Sequence, residues 1–323
     1  MSSWLITGGA GYIGAHVVHA LQQLNFSVWI IDDLSAGKRN SVSELANFQQ
    51  ISLLDEESLD LFFSRNRFDG VIHLAGLKSV ADSLMNPAGY MEVNCRGTVN
   101  LLAAMKKYSV KKMIFSSTAA VYSGCTANVI PENSVLNPAN PYGESKLAAE
   151  LAIIAACAQG NLNAVIFRYF NVIGSMSFEF AEINSMNVLP KAISDIKQEG
   201  LFEIFGDDFE TPDGTCVRDF IHVLDLTSAH IKAVEFFEKM QTSFEIINLG
   251  SGKGYSVLQI ILELESISQQ LIRKTISSRR QGDIGFIVAD ITKAWKYLNW
   301  RPVRGIQEMI SDAWKFSFEE KKL

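Results

Sequence analysis

Short apolar runs alternate with longer amphipathic segments along the first half of the chain. The apolar runs are rich in β-branched and aromatic residues, which favour strands, and the segments between them have helical spacing. Such alternation predicts an α/β fold, in which a parallel sheet carries helices on both faces. The predicted strands cover residues 4–6, 27–32, 47–53, 71–76, 111–117 and 164–170, and the predicted helices begin near residues 12, 56, 87 and 141 and end, for the last three, near residues 66, 108 and 160.

The pattern loosens after residue 171. Short strands and a turn at residues 211–214 precede the stretch 217–226, which predicts a strand entering a helix. A chain of 323 residues is longer than one hydrophobic core usually supports, so we expect a second lobe. We predict a doubly wound first domain from residues 1–171 plus about 217–240, and a smaller mixed α/β lobe from about 172–216 plus 241–323.

The composition is that of an ordinary globular protein, with 48% hydrophobic and 20% charged residues. A net charge of -6 argues against a broad nucleic-acid-binding surface. The sequence has neither a run of 18 apolar residues nor a basic segment followed by an apolar signal core, so we expect neither membrane insertion nor export. The cysteines lack CxxC and metal-ligand spacing, which predicts reduced thiols, no metal site and a cytoplasmic location. They are Cys95, Cys125, Cys157 and Cys216.

Three glycines spaced three residues apart follow the first predicted strand, namely Gly8, Gly11 and Gly14. Such a turn needs glycine for its tight bend, for close approach of the backbone to a pyrophosphate and for packing of the next helix. The second strand ends at Asp32, eighteen residues beyond Gly14, where a carboxylate would meet the ribose of a dinucleotide. We predict a Rossmann-type fold that binds NAD, since this acid would repel the 2′-phosphate of NADP. Lys38 and Arg39 could accommodate that phosphate, but we give more weight to Asp32 because it ends the strand itself.

The segment NPYGESK, residues 140–146, places a tyrosine and a lysine at the start of a predicted helix. Asn140 suits the N-cap position and Pro141 the first helical position. Tyr142 and Lys146 are four residues apart and therefore lie on one helix face. A tyrosine becomes a base near neutral pH only if its pKa falls by about 3 units, or about 4 kcal/mol. One positive charge about 5 Å away supplies about 3 kcal/mol, so Lys146 nearly suffices and a second cation completes the shift.

A pair at this spacing also arises by chance, with the tyrosine packed on a solvated lysine stem. Other polar residues are nevertheless predicted to collect nearby, because ligands of such sheets bind at the carboxyl ends of the strands. The residues predicted at these ends are Gly76, Lys78, Ser117, Thr118 and Asn171.

Seven segments together resemble a known family: TGGAGYIG, HLAGLKSV, FSSTAAVY, PYGESK, RYFNVIG, GTCVRDFIHVLDL and RRQGD. In this order and spacing they are similar to the extended short-chain dehydrogenase/reductase family, and most closely to its UDP-glucose 4-epimerases (UDP-galactose 4-epimerases). The resemblance implies reversible inversion at C4 of a UDP-hexose, UDP-glucose or UDP-galactose, through a transient 4-keto sugar. It also implies a tightly held NAD that is regenerated in each cycle, a C-terminal lobe that binds the UDP-sugar, and a homodimer.

The resemblance also implies roles for individual residues. Tyr142 would be the base at the 4-hydroxyl, and Lys146 would lower the pKa of the phenol and bind the nicotinamide ribose. Thr118 would hydrogen-bond the sugar oxygen and relay the proton. Oxidised nicotinamide would supply the second positive charge.

Two larger sets follow from the same matches. The implied cofactor-binding residues are Gly8, Gly11, Tyr12, Ile13, Gly14, Asp32, Leu74, Ala75, Lys78, Asn94, Lys146 and Tyr169. The implied substrate-binding residues are Lys78, Thr118, Tyr142, Asn171, Asn187, Arg218, Arg280, Asp283 and Ile287. Without the surrounding motif, we would interpret each arginine as part of a surface ion pair rather than as a ligand-binding residue, and we interpret His222 as a structural histidine.

The chain departs from the family pattern in several places. Ser52 and Leu53 stand where a Gly-Asp pair often faces adenine, which predicts the loss of that adenine contact. The stretch from residue 171 to residue 190 is shorter than usual, and Cys216 replaces a glycine. Ile287 stands where some members carry a bulky tyrosine that excludes N-acetylated sugars, which predicts partial acceptance of UDP-N-acetylhexosamines.

Other functions stay open from the sequence. A UDP-N-acetylhexosamine 4-epimerase or another nucleotide-sugar oxidoreductase of the same family would use the same residues. A dehydratase would need carboxylates just after Thr118, where this chain has Ala119 and Ala120. A simple dehydrogenase would release NADH, and a catalytically silent nucleotide-binding protein would be expected to lack Tyr142, Lys146 or Thr118.

Overall fold

A computed structural model describes residues 2–42, 46–122, 129–182, 187–198, 200–280 and 283–318. Its strands are β1 (Ser3–Thr7), β2 (Ser27–Asp32), β3 (Asn47–Gln50), β4 (Gly70–His73), β5 (Lys112–Thr118), β6 (Val129–Ile130), β7 (Asn163–Tyr169), β8 (Asn171–Ile173), β9 (Phe202–Phe205), β10 (Val217–His222), β11 (Phe244–Leu249), β12 (Gly254–Ser256), β13 (Lys274–Ser277) and β14 (Phe286–Ala289). Its α-helices are α1 (Tyr12–Gln23), α2 (Glu56–Arg65), α3 (Val80–Met85), α4 (Pro87–Tyr90), α5 (Gly97–Lys107), α6 (Pro141–Ala158), α7 (Val188–Lys197), α8 (Val223–Phe236), α9 (Val257–Ser268), α10 (Thr292–Leu298) and α11 (Ile306–Lys315).

Seven parallel strands form the main sheet in the order β11-β7-β5-β4-β1-β2-β3. The chain therefore winds outward in both directions from the β1–β4 pair, which leaves a crevice at their carboxyl ends. The predicted Rossmann-type, doubly wound α/β fold is confirmed.

An apolar layer on each face of this sheet packs it against helices. On one face, apolar side chains of α2, α5 and α6 pack with residues such as Met113 and Phe115 of β5. On the other face, α1, α8 and α10 pack with residues such as Ile114. The alternation of β5 residues between the two layers is the period of two expected for a strand buried on both sides.

The second lobe is built around β10, the strand predicted from the stretch 217–226. We expected this strand in the first domain, but its pairing with β12 and β14 in a separate sheet supports placing it in the second lobe. In the described residues β10 lies between β12 and β14, β6 extends that sheet beyond β14, and β8 also pairs with β10. β9 and β13 form a separate two-stranded sheet, and helices α7, α9 and α11 enclose a core with it. Because β10 leads straight into α8 of the first domain, one strand connects both lobes.

Several boundaries differ from the sequence expectations. The strand predicted for 47–53 ends at Gln50, and the single helix predicted for 87–108 is divided into α4, a π-helical turn (Met91–Arg96) and α5. Such π-helical turns occur often at functional sites.

The second lobe was expected to include everything from residue 241 onward. Phe244–Leu249 instead pairs along its whole length with β7 of the main sheet. We therefore propose that the first domain extends to Leu249, because the strand Phe244–Leu249 makes its backbone hydrogen bonds to β7 of the main sheet.

Candidate functional site

The glycine turn between β1 and α1 lies directly on the backbone that follows β4. Gly8 has φ = +71°, and a Cβ there would lie 2.5 Å from the backbone nitrogen of Ala75 and 2.8 Å from the carbonyl carbon of Leu74. A Cβ on Gly14 would lie 2.1 Å from the carbonyl oxygen of Gly8. Gly11 is the N-cap of α1, so no side chain caps the backbone N–H groups at the positive end of that helix. This arrangement suits an anionic pyrophosphate.

Asp32 ends β2 with its carboxylate held from two sides. Oδ2 accepts a hydrogen bond from the N–H of Ala10 at 3.0 Å, and Oδ1 accepts from the N–H of Leu34 at 2.9 Å. Burial raises the pKa of Asp32, and these hydrogen bonds oppose the rise. Each carboxylate oxygen has a further lone pair that a ribose hydroxyl could use. Arg39, part of the alternative phosphate-binding pair, stacks instead over the ring of Phe48, 4.6 Å from its centroid.

Leu53, which the resemblance places where an acid often faces adenine, makes an apolar contact. The side chain of Leu53 is buried, and a Cβ on Gly97 would lie 3.2 Å from its Cβ. Its carbonyl oxygen accepts a hydrogen bond from Asn100. The loss of an adenine contact at this position stays a prediction.

The helix that carries the tyrosine and lysine begins where the sequence predicts. The side chain of Asn140 accepts a hydrogen bond from the N–H of Gly143 at 2.9 Å, which confirms the N-cap. Tyr142, in the first turn, is half-buried, and its phenol is hydrogen-bonded to the hydroxyl of Thr118 at the end of β5. That hydroxyl accepts from the N–H of Ala120 at 3.1 Å, and its hydrogen bond to the phenol acts to lower the pKa of Tyr142.

Lys146 is 4% exposed and lies one turn further along α6. Its ammonium donates to the carbonyl oxygen of Ser116 at 2.8 Å and lies 4.9 Å from the centroid of the Phe115 ring. Burial lowers the pKa of Lys146 to about 8, and the negative charge of Glu150 opposes that shift. The ammonium is therefore close to losing its proton at mildly alkaline pH.

The expected lowering of the phenol pKa by Lys146 is not found in the protein alone. Burial raises the pKa of Tyr142, and the hydrogen bond from Thr118 is what opposes this rise. The physical reason is that desolvation penalises the phenolate more than the nearby groups of the chain stabilise it. An additional positive charge is needed to make this phenol a base near neutral pH.

Asn94 lies in the π-helical turn and uses its whole amide to hold neighbouring elements. Oδ1 accepts from the N–H of Leu77 at 2.7 Å, and Nδ2 donates to the carbonyl oxygen of Leu77 at 3.0 Å and to Ser145 Oγ at 2.9 Å. The geometry supports a positioning role, because Leu77 directly precedes Lys78. A direct contact of Asn94 with the cofactor stays a prediction.

Tyr169, another predicted cofactor contact, is joined to a histidine. Its hydroxyl donates to His230 Nε2 at 2.7 Å, because the Nδ1 of His230 donates to the carbonyl oxygen of Leu226 at 2.9 Å. Burial lowers the pKa of His230 to about 4 and raises the pKa of Tyr169. Both side chains are therefore neutral, and Tyr169 at the end of β7 contributes an uncharged side chain to that side of the site.

Lys78 forms an ion pair with Glu182, whose side chain is 9% exposed. The Lys78 ammonium lies 5.8 Å from the centroid of the Tyr12 ring, and the Tyr12 hydroxyl donates to the carbonyl oxygen of Gly174 at 2.6 Å. Asn187 Nδ2 lies 3.5 Å from the same carboxylate. Three residues predicted to bind cofactor or sugar thus meet around one acid.

The predicted sugar-binding residues Arg218, Asp283 and Ile287 come together in the second lobe. Arg218 on β10 is flanked in the sheet by Tyr255 of β12 and Ile287 of β14. Its Nη1 donates to the carbonyl oxygen of Ile284 at 2.7 Å, and its Nη2 lies 3.6 Å from Asp283 Oδ1. The guanidinium is 17% exposed and has further N–H groups for a ligand.

Two other predicted residues lie in the second lobe with partners of their own. Asn171, next to β10, donates through Nδ2 to the carbonyl oxygen of Asp219 at 2.9 Å. The guanidinium of Arg280 stacks on the ring of Phe205, 3.7 Å from its centroid. Stacking of this kind holds the arginine in place and leaves its edge available for an anion.

The interpretation of His222 as a structural histidine is confirmed. The side chain is fully buried, and its Nδ1 accepts from the N–H of Leu224 at the start of α8. Its Nε2 lies 3.3 Å from Asp312 Oδ2. Burial lowers the pKa of His222 to about 3, so it is neutral.

Sequence reasoning missed Glu182 and the acid Glu150. Glu182 and Lys78 are 104 residues apart in the sequence, so no local spacing pattern predicts their contact. Glu150 could have been found, because it stands four residues after Lys146 and eight after Tyr142 on the same helix face. The described residues contain neither a cluster of three or more His, Cys, Asp or Glu side chains suited to a metal ion nor a helix with the length and apolarity of a membrane span.

Known proteins resemble the chain over nearly its whole length. A model of the NAD dependent epimerase/dehydratase family matches residues 4–250. A UDP-glucose 4-epimerase of Erwinia amylovora is 40% identical over 97% of this chain and 97% of its own length. The solved structure of a UDP-glucose-4-epimerase from Stenotrophomonas maltophila with bound NAD and formylated UDP-arabinopyranose has a TM-score of 0.94 at 33% identity, covering 98% of both chains. A UDP-Glc/GlcNAc 4-epimerase from Campylobacter jejuni has a TM-score of 0.87 at 32% identity, covering 98% of this chain and 99% of its own.

Proposed function

Because the chain belongs to the NAD-dependent epimerase/dehydratase family, we propose that it inverts C4 of a UDP-hexose and interconverts UDP-glucose and UDP-galactose through a 4-keto sugar. The observation that carries this proposal is the hydrogen-bonded pair Tyr142 and Thr118, with Lys146 behind it, at the carboxyl end of β5. This end of the sheet opens beside the glycine turn, so one crevice can hold both a dinucleotide and a sugar.

The residues of the first domain fit NAD as the cofactor. Gly8 and Gly14 let the turn pack directly against the backbone of Ala75 and of the turn itself, which leaves the start of α1 free for a pyrophosphate, and Asp32 is placed at the end of β2 for the adenosine ribose. When bound, NAD supplies a hydride acceptor and donor for C4 and a positively charged ring beside the phenol.

The chain supplies the proton chemistry. Tyr142 takes the proton of the 4-hydroxyl and later returns it to the same oxygen, and Thr118 donates a hydrogen bond to the phenolate in between. The charged Lys146 side chain stabilises that phenolate. Burial lowers the pKa of Lys146 to about 8, so the charged fraction of this lysine falls at mildly alkaline pH. Activity should therefore need both a charged Lys146 and the positive charge of the oxidised cofactor.

The second lobe supplies the groups that hold the UDP-sugar. Arg218 and Arg280 offer the planar N–H forks that fit a diphosphate. Asp283 and the two asparagines offer acceptors and donors for hydroxyls and for the uracil edge. The proposed substrate set is Lys78, Thr118, Tyr142, Asn171, Asn187, Arg218, Arg280, Asp283 and Ile287.

We further propose that UDP-N-acetylhexosamines are accepted in part. Ile287 is half-buried beside Arg218 in the sheet, and its side chain is smaller than the tyrosine of members that exclude N-acetyl groups. The Campylobacter jejuni protein, named for both sugars, has the same fold at 32% identity.

A homodimer through the helices of the first domain is proposed on the basis of their exposed apolar residues. Met91 and Val99 are 40% and 45% exposed along one helical run, and Leu151 on the neighbouring α6 is 57% exposed. Apolar residues on two adjacent helices favour burial against a second copy. A cytoplasmic location stays a proposal supported by the free thiols of Cys157 and Cys216.

The deciding experiment incubates the purified protein with UDP-glucose, UDP-galactose, UDP-GlcNAc or UDP-xylose, without added NAD, and separates the products. We expect the 4-epimer of UDP-glucose to form, with no growth of absorbance at 340 nm. Absorbance that rises in proportion to product would indicate a simple dehydrogenase, and NAD binding without turnover of any of the four sugars would indicate a silent nucleotide-binding protein.

A further inference from the structure

Three side chains of α6 spaced four residues apart are joined to the end of β5. The first two contacts, from the phenol to Thr118 and from the ammonium to the carbonyl oxygen of Ser116, belong to the site described above. The third is a hydrogen bond from the Ser117 hydroxyl to Oε1 of Glu150, which the proposed chemistry does not use. The helix is thus tied to three consecutive strand residues.

Glu150 is itself held by a second strand. Arg168 on β7 donates from Nε to Oε1 at 3.0 Å and from Nη2 to Oε2 at 2.6 Å, and both side chains are 1% exposed. Nη1 of Arg168 donates to the Tyr122 hydroxyl at 2.8 Å and to the carbonyl oxygen of Glu132 at 3.1 Å. A bidentate ion pair sealed from water, with two further N–H groups of the arginine bound, has essentially one geometry.

We propose that Glu150 is a positioning residue: clamped by Ser117 and Arg168, it fixes the face of α6 that carries the phenol and the ammonium against the end of β5. The inference rests on the proposed function. A shift of α6 along the strand would separate the phenol from its hydrogen-bond donor, and small errors in such geometry are costly to rate.

Glu150 also acts on the charge of Lys146. The charged or titratable groups that interact with this ammonium are Glu150 on α6 and His73 on β4, whose own pKa is lowered to about 3 so that it is neutral. Tyr142 lies one turn before it on the same helix face. Arg168 on β7 is ion-paired with Glu150. Burial lowers the pKa of the lysine and the carboxylate opposes this, so a neutral residue at position 150 would let the ammonium lose its proton at lower pH.

The test compares three single variants with the wild-type holoenzyme. Glu150→Gln keeps the shape and removes the charge, whereas Ser117→Ala keeps both charges and removes one clamp. Asp225→Asn is the matched control, since Asp225 is a buried, ion-paired acid of α8 on the opposite face of the sheet. For each variant, kcat, KM for UDP-glucose and the pH profile of kcat are measured.

For Glu150→Gln we expect kcat to fall about tenfold or more with KM changed less than about twofold, and the alkaline limb of the profile to move down by about one pH unit. Ser117→Ala should lower kcat several-fold and leave the alkaline limb in place. Asp225→Asn should keep the wild-type kcat and profile. The inference is overturned if Glu150→Gln keeps the wild-type kcat or if the alkaline limb of its pH profile does not move. It is also overturned if Ser117→Ala keeps the wild-type kcat.

Two further measurements keep the test decisive. If Glu150→Gln does not fold, the double variant Glu150→Gln/Arg168→Met removes both buried charges together, and a wild-type kcat there overturns the inference. If the wild-type protein turns over no sugar, the proposed function fails on its own. The pH dependence of tyrosinate absorbance, with Tyr142→Phe subtracted, then decides the inference separately: Glu150→Gln must raise the apparent pKa of Tyr142, and an unchanged value overturns it.

Discussion

A Cβ placed on Gly14 would lie 2.1 Å from the carbonyl oxygen of Gly8, which is far inside van der Waals contact. Gly14→Ala should therefore push α1 away from the turn and disturb the surface proposed to hold the pyrophosphate. We expect loss of co-purifying NAD and a destabilisation of about 1–3 kcal/mol. The measurements are NAD released on acid denaturation and urea unfolding.

Gly305→Ala is the matched control for this substitution. Gly14 lies in the first turn of α1, and Gly305 lies at the start of α11 as its N-cap, where a Cβ would meet nothing within 4 Å. It should retain wild-type NAD content. Equal NAD content in Gly14→Ala and Gly305→Ala would contradict the assigned role of the turn.

Tyr142→Phe should leave NAD bound and lower the epimerisation rate by about three orders of magnitude or more, since the proton then has no acceptor. Tyr108→Phe removes a phenol that bonds Asp60 at the surface, and serves as the control. Both variants are assayed with UDP-glucose at equal NAD content. A rate near that of the wild type in Tyr142→Phe would refute the assigned base.

Ile287→Tyr should abolish any turnover of UDP-GlcNAc and largely retain turnover of UDP-glucose, because the larger ring fills the space beside Arg218. Ile287→Val, which removes one methylene, should keep both activities. The ratio of kcat/KM for the two sugars is the measurement. If the wild-type protein does not turn over UDP-GlcNAc at all, the proposed acceptance of N-acetylated sugars is excluded.

Stability should fall on acidification below neutral pH. Burial lowers the pKa of four histidines to about 3 or about 4, so between about pH 4 and 6.5 the unfolded chain binds more protons than the folded one. They are His16, His73, His222 and His230. Each contributes about 2 kcal/mol of stability at pH 7 that is lost by pH 5.

Asp219 acts in the opposite direction. Burial raises its pKa to about 6, so the folded protein gains stability when this carboxyl is protonated. Asp219 offsets part of one histidine. Burial also raises the pKa of Asp32, Glu132 and Asp312, which act in the same direction as Asp219, and we expect the four histidines to outweigh these carboxyls. Urea unfolding at pH 5 and pH 7 measures the difference, and equal free energies of unfolding would contradict the buried neutral histidines.

Much of the first domain was predictable because its signals are local. The apolar runs at β2 and β5, the glycine turn and the cap at Asn140 each depend on residues close together in sequence, and all appear in the structure. We expected the strand Phe244–Leu249 in the second lobe, and its local pattern fits either lobe. Only its pairing with β7 decides where it belongs.

The candidate site divides in the same way. That Tyr142 and Lys146 share a face follows from helix geometry alone. The ion pair of Lys78 with Glu182 and the clamp of Arg168 on Glu150 join residues 104 and 18 positions apart, which no periodicity predicts.

The sequence by itself determined the kind of fold, the dinucleotide turn and the residue types of the site, because these depend on spacing over a few residues. The tertiary structure alone decided the protonation of those residues. Burial raises the pKa of Tyr142 and lowers that of Lys146, opposite to the effect expected from their proximity along the helix. The reason is that desolvation depends on everything that surrounds a charge, and most of what surrounds these two comes from distant parts of the chain.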